Sequence, residues 1–299
     1  MNKVKFVANA FSVPVILMLI CSNGFPMDKA DSWPKRVLIT NDNGIEDIKI
    51  VELAKAFSQI AETYVVAPKE DRSGSTNYLT ATKRGKLTAE SRKLGENITA
   101  YAVDGFPADC VVLALLGIMR ENPPDLIISG INGGANLGKD WMFSGTVGAA
   151  RVAAFAGFPA MAVSGLDSNI PGSLEKVSQW VVKLAQSQFI RDLKSPGYIT
   201  VSIPRISPDK IQGFQVAERA GLREIPIFSK SASANKKDRY ETWTITGSET
   251  VSSPLPPHSD ISLYDQGYII IVPMIADEHN YGLLNRLRNN SEHIPEWGK

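Results

Sequence analysis

The sequence predicts an α/β fold built on a doubly wound, mostly parallel sheet, and two observations predict it. Short apolar, β-branched runs recur at residues 37–40, 63–67, 126–129, 160–164 and 198–203, each of strand length and bounded by polar loop residues. Stretches with helical spacing separate them, so the order reads strand, helix, strand, the pattern of a sheet buried on both faces. With 299 residues, 43% hydrophobic and 21% charged, the chain can bury the core that such a sheet needs.

Taken in order, the chain opens with signal-peptide anatomy over residues 1–24. Lys3 and Lys5 precede an apolar run at 11–20, and Ser22, Asn23 and Gly24 follow it. A membrane-spanning helix needs about 20 apolar residues, so the expectation is cleavage near Gly24 and a periplasmic or secreted protein without stable membrane insertion. Ile20 stands where lipid attachment to Cys21 wants a small residue. Residues 25–299 then form the working domain, in which Cys110 is the single cysteine and no internal disulfide is expected.

Strand 37–40 leads to Ile50, Val51, Leu53, Ala54 and Phe57 at helical spacing. Strand 126–129 and its loop lead to Val147, Ala150, Val152, Ala153 and Phe155, a second buried helix. From about 204 to 260, Ser, Lys, Pro and Thr dominate, and residues 240–245 alternate like a hairpin strand, so a β-hairpin accessory arm is expected there. The chain returns to the sheet at 267–272, and 277–299 read as a C-terminal extension, a helix and an extended end. A formal net charge of +1, from 32 basic and 31 acidic residues without a block of one sign, argues against a nucleic-acid partner and for a small-molecule substrate.

Ligands of an open parallel sheet bind beyond the carboxyl ends of its strands, so the loops there carry the chemistry. The first strand runs into Asn41-Asp42-Asn43-Gly44, the second into a loop containing Arg72-Ser73-Gly74-Ser75, and the third into Ser129-Gly130-Ile131-Asn132-Gly133-Gly134-Ala135-Asn136. Asp42, Asn43, Ser73 and Asn132 offer only oxygen donors, which suits a hard cation such as Mg²⁺ or Mn²⁺ better than Zn²⁺. His258, His279 and His293 all lie outside these loops. The same residues have plainer readings: Asp42 as a helix N-cap, Asn132 as a turn residue, Ser73 as a surface hydroxyl.

Further on, Ser144-Gly145-Thr146 opens the small-residue helix, presenting backbone N–H groups, hydroxyls and the positive dipole end to an anion such as phosphate. N-capping by Ser144 accounts for the same stretch. A cation beside an anion cradle implies hydrolysis of a phosphate ester, with Asp42 as the main metal ligand and as nucleophile or base. Lys139 and Arg72 are near enough in sequence to assist, and the absence of a Walker motif speaks against a P-loop nucleotidase.

These motifs, together with Gly105-Phe106-Pro107-Ala108-Asp109-Cys110-Val111, resemble the SurE (survival protein E) family of 5′-nucleotidases and acid phosphatases, over most of 36–163 and more weakly at 259–274. The resemblance implies a Rossmann-like domain and a metal-dependent phosphomonoesterase acting on nucleoside 5′-monophosphates, with 3′-monophosphates and short polyphosphate as further substrates. It places the metal ligands on Asp42, Asn43, Ser73 and Asn132, catalysis on Asp42 and Asn43, and phosphate contacts on Asn136, Ser144, Gly145 and Thr146. It also implies a homodimer or homotetramer with exchanged C-terminal segments. The chain departs from the family pattern in three places: Asn43 stands for the second of two aspartates, Ile48-Lys49 for a Pro and Gly, and Phe106 for a usual Thr. The first departure removes a negative charge from the metal site and opens an alternative, an exported nucleotide- or phosphate-binding protein weakened in catalysis.

Overall fold

The computed structural model describes residues 33–221, 224–230, 241–250 and 255–289; the expected signal segment, parts of the arm and the end of the C-terminal extension lie outside them. The predicted strands are present as β1 (Arg36–Thr40), β2 (Glu62–Pro68), β5 (Leu126–Asn132), β6 (Ala160–Ser164) and β7 (Gly197–Ser202). The two predicted helices are α1 (Ile48–Phe57) and α3 (Gly145–Phe155). Beyond these stand β3 (Ala89–Arg92), β4 (Ile98–Val103), α2 (Pro107–Leu113) and α4 (Ser173–Ala185).

One nine-stranded sheet has the order β3-β4-β2-β1-β5-β6-β7-β11-β8, where β8 is Phe214–Val216 and β11 is Ile269–Ile275. Its central strands are parallel, while β3 on β4 and β11 on β7 are antiparallel. This is the expected Rossmann-like, doubly wound sheet. Alternation along β1 explains the two layers: Val37 and Ile39 join the core beneath α1 and α4, whereas Leu38 points into the core beneath α2 and α3. From β1 the chain moves outward through β2 and β4 on one side, then through β5, β6 and β7 on the other. The switch point falls between β1 and β5, and the strand ends there are where an open α/β sheet places a ligand crevice.

Only part of the expected arm leaves this sheet. Residues 214–216 pair with β11, and the isolated ribbon is β9 (Glu224–Lys230) on β10 (Trp243–Thr250). The C-terminal segment holds α5 (Asp260–Asp265) and α6 (Tyr281–Asn289). Among the described residues, no helix is long and apolar enough to cross a membrane. Cys110 is free and fully buried on α2.

Candidate active site

The sheet register sets the site. Thr40 of β1 lies opposite Ser129 of β5, so Asp42, two residues on, and Asn132, three residues on, emerge from neighbouring strands at one edge of the sheet. Asn132 in turn sits opposite Ser164 of β6. Asp42 does not cap α1; Asp47 does, its side chain accepting from the Lys49 amide at 2.8 Å. Asp42 turns instead toward the start of α3 and is 2% exposed. Its Oδ1 accepts from the Thr146 hydroxyl at 2.6 Å, and its Oδ2 from the Thr146 amide at 3.1 Å.

This closeness depends on small residues. A Cβ on Gly145 would lie 2.7 Å from Ser75 Oγ and 2.9 Å from Asp42 Cβ, and one on Gly148 would lie 2.0 Å from the Thr76 carbonyl oxygen. The absence of side chains at both positions lets the loop after β2 and the turn after β1 lie directly on α3. That loop is pinned at three points: Arg72 donates its amide to the Asp42 carbonyl at 2.7 Å, Thr76 donates to the Phe143 carbonyl at 3.2 Å, and Thr80 donates its amide and hydroxyl to the buried Asp109 carboxylate at 2.9 and 2.8 Å.

At the head of α3, Ser144 is a true N-cap, its Oγ accepting from the Val147 amide at 3.1 Å, so the capping reading of this residue holds. The same cap leaves the 145 and 146 region of the helix start, with its dipole, beside Asp42. Asn136 is buried and donates to Ser164 Oγ at 2.6 Å. Its carbonyl accepts from Arg219 at 2.6 Å, and Arg219 is paired at 3.0 Å with Asp260, which is fully buried and also accepts from the Gly138 and Ala220 amides. Arg219 and Asp260 hold the loop that carries Asn136. Nothing local in the sequence marks this pair, whose members lie far apart along the chain.

The predicted ligands are thus unequally placed. Asp42, Gly145 and Thr146 lie against one another, Ser144 caps the same helix, Asn132 ends β5, and Asn136 occupies the loop that follows it. Ser73 is exposed and follows Arg72, whose amide donates to the Asp42 carbonyl. Lys139 is exposed at the start of a short turn, and the Arg72 guanidinium rests 5.2 Å over the Phe106 ring.

Electrostatically, burial pushes the Asp42 carboxyl above its ordinary value, the Thr146 hydroxyl and amide pull it back, and Asp71 nearby adds to the rise. Buried side-chain oxygens without a protein partner include Asn41 Oδ1, Asn43 Oδ1, Ser75 Oγ and Ser129 Oγ, all at these strand ends or in the loop beside them. Asn132 commits its Nδ2 to the Gly134 carbonyl at 2.7 Å, which leaves its Oδ1 available. Partnerless buried oxygens are costly unless something else engages them. Together with one buried carboxylate, they fit a hard divalent cation. A separate open cavity of about 620 Å³ lies at the opposite strand ends, lined by Gln59, Glu62 and Asn97 among others, and none of these loops reaches it.

Comparison with known proteins agrees with this fold. The family model described as survival protein SurE matches residues 37–224. The chain belongs to the SurE family. A 5′-nucleotidase SurE from Nitrosococcus oceani is 35% identical over 263 residues, covering 87% of this chain and 99% of that protein. One from Petrotoga mobilis is 30% identical over 253 residues, covering 85% and 98%. The crystal structure of a SurE protein from Aquifex aeolicus matches with a TM-score of 0.70 at 28% identity, covering 85% of this chain and 98% of that one. The SurE match contains the whole crevice from Asp42 to Thr146, while Asp260, which braces it, lies beyond the matched segment.

Proposed function

We propose that this protein is a metal-dependent phosphomonoesterase that hydrolyses nucleoside 5′-monophosphates, with 3′-monophosphates and short polyphosphate as further substrates. The observation that carries the reading is the contact between the buried Asp42 carboxylate and the start of α3, made through the Thr146 hydroxyl at 2.6 Å. It puts a carboxylate and a helix N-terminus suited to phosphate side by side at the switch point of the sheet. Membership of a family whose named relatives are 5′-nucleotidases supports the same reaction.

Asp42, Asn43, Ser73 and Asn132 would hold Mg²⁺ or Mn²⁺, which when bound supplies Lewis-acid polarisation of the phosphoryl group. The chain's own groups do the rest. Asn136, Ser144, Gly145 and Thr146 would orient the phosphate and stabilise the charge that develops on it, which requires the Thr146 amide and hydroxyl to exchange Asp42 for phosphate oxygens. Asp42, whose Oδ1 and Oδ2 each accept a hydrogen bond from Thr146, would accept the proton of an attacking water. Asn43, an amide, holds and does not take protons.

The N-terminal segment supports export to the periplasm or the medium, through Lys3, Lys5 and the apolar run at 11–20. The ribbon of β9 and β10 supports assembly as a homodimer or homotetramer: Ile225, Phe228, Trp243 and Ile245 are all exposed on a two-stranded element that needs a partner surface. Phosphate release from a panel of nucleoside monophosphates, with Mg²⁺, Mn²⁺ or chelator, tests the function on wild type and Asp42→Ala. Release that requires the cation and vanishes in the variant is expected; undiminished release from Asp42→Ala would overturn the assignment. Asn43 favours one second reading, a nucleotide-binding protein without turnover. Its signature is nucleotide binding with no phosphate release even after Asn43→Asp.

A further inference from the structure

The loop between β2 and the turn at 81–84 does more than close the crevice. After Arg72 joins Asp42 and Thr76 joins the residue before Ser144, the chain rises to Tyr78 before Thr80 locks onto Asp109. Tyr78 is 41% exposed. Its ring meets the half-buried Phe106 ring edge-on, with centroids 4.9 Å apart and planes at 82°. The Arg72 guanidinium lies over the other ring at 5.2 Å, with Nε buried and lacking a hydrogen-bond partner, and its acidic neighbours Glu70 and Asp104 are no closer than 3.7 and 4.0 Å. An exposed aromatic, a second ring and a weakly neutralised guanidinium therefore form one continuous ledge. Backbone hydrogen bonds tie it to both halves of the crevice, Asp42 and the head of α3.

Resting on the phosphatase reading, we infer that Tyr78, Phe106 and Arg72 bind the aromatic base of the substrate's leaving nucleoside and so determine selectivity for nucleotides over phosphate esters without a base. Aromatic faces and a planar guanidinium stack on any nucleobase, and such stacking tolerates base identity. A phosphate seated on α3 leaves its ester group to extend along this loop, which carries the Tyr78–Phe106 pair.

The experiment compares kcat/KM for AMP and for ribose 5-phosphate, which has the same phosphate and sugar but no base. Wild type, Tyr78→Ala and Phe106→Leu are measured. Tyr78 lies at the surface, so its truncation removes the ring contact with Phe106 but none within the buried core, and leucine keeps the apolar volume at Phe106. The expected result is a preference of wild type for AMP, and a fall of about tenfold for AMP in each variant, with ribose 5-phosphate changed less than about twofold. Equal losses on both substrates, or no preference in wild type, would overturn the inference. Should wild type release no phosphate from either ester, the proposed function fails. The ledge is then judged by calorimetric binding: tighter binding of AMP than of ribose 5-phosphate, lost in Tyr78→Ala, supports it, and equal binding rejects it.

Discussion

Replacing Gly145 by alanine adds one methyl group and removes no donor or acceptor, so it isolates the closeness of Asp42 to α3. The added Cβ would lie 2.7 Å from Ser75 Oγ, 2.9 Å from Asp42 Cβ and 3.0 Å from Asp42 Oδ2. Carbon contacts settle at about 3.5–4.0 Å, so the helix start and the turn must separate by roughly 0.6–1 Å. That displacement stretches the 2.6 Å bond from Thr146 to Asp42 out of the range of a strong hydrogen bond. Overpacking of this size costs about 1–3 kcal/mol, which for a chain of this length lowers Tm by about 2–12 °C. The activity effect should be larger, since a misplacement of about 1 Å can cost about 100-fold in rate. Differential scanning fluorimetry and steady-state phosphate release read the two effects. Gly117→Ala, on an exposed helical turn where the new methyl meets only Leu113 Cδ1 at 3.4 Å, is the control and should behave as wild type. A Gly145→Ala protein with wild-type Tm and turnover would refute the idea that this contact organises the site.

Three further outcomes follow from the same geometry. Asn43→Asp adds a carboxylate beside Asp42 and should lower the Mg²⁺ or Mn²⁺ concentration giving half of the full thermal shift; an unchanged titration curve would remove Asn43 from the cation site. Asp260→Ala strands the Arg219 guanidinium and the Gly138 and Ala220 amides, and should destabilise by about 3–5 kcal/mol in urea titration, with turnover falling as the Asn136 loop loosens. Tyr198 is buried with no hydrogen-bond partner for its hydroxyl, and burial pushes its pKa up to about 12. Unfolded tyrosine ionises near pH 10, so between pH 10 and 12 the folded chain binds the extra proton and stability falls as pH rises, by about 2–3 kcal/mol. Tyr198→Phe should abolish that alkaline decline while leaving stability at pH 7 equal or higher, which denaturation at pH 7 and above pH 10 can check.

The buried strands were legible because a central parallel strand is apolar on both faces and therefore reads as a continuous run, as in Leu126-Ile127-Ile128. Strand β3 was not: its residues are mostly exposed at the sheet edge, so no hydrophobic pattern constrains them. Helix α2 opens with Pro107 and is short, and its Asp109 serves the neighbouring loop, a use that periodicity does not register. In the crevice, Asp42, Asn132, Ser144 and Thr146 stood out because strand ends and helix starts are where polar residues gather for a reason. Whether Asp42 capped α1 or faced α3 was open in the sequence, since Asp47 five residues later suits the cap equally well; the structure gives the cap to Asp47.

By itself the sequence determined the class of fold and singled out the strand-end loops with their oxygen donors as the candidate site, because each follows from local spacing and residue type. Tertiary structure alone decided that the Asp42 carboxylate is shared with Thr146, that Arg219 and Asp260 brace the Asn136 loop, and that Tyr78 meets Phe106. These contacts join residues far apart in the chain, and their distances are set by sheet register and by how closely glycine lets backbones approach.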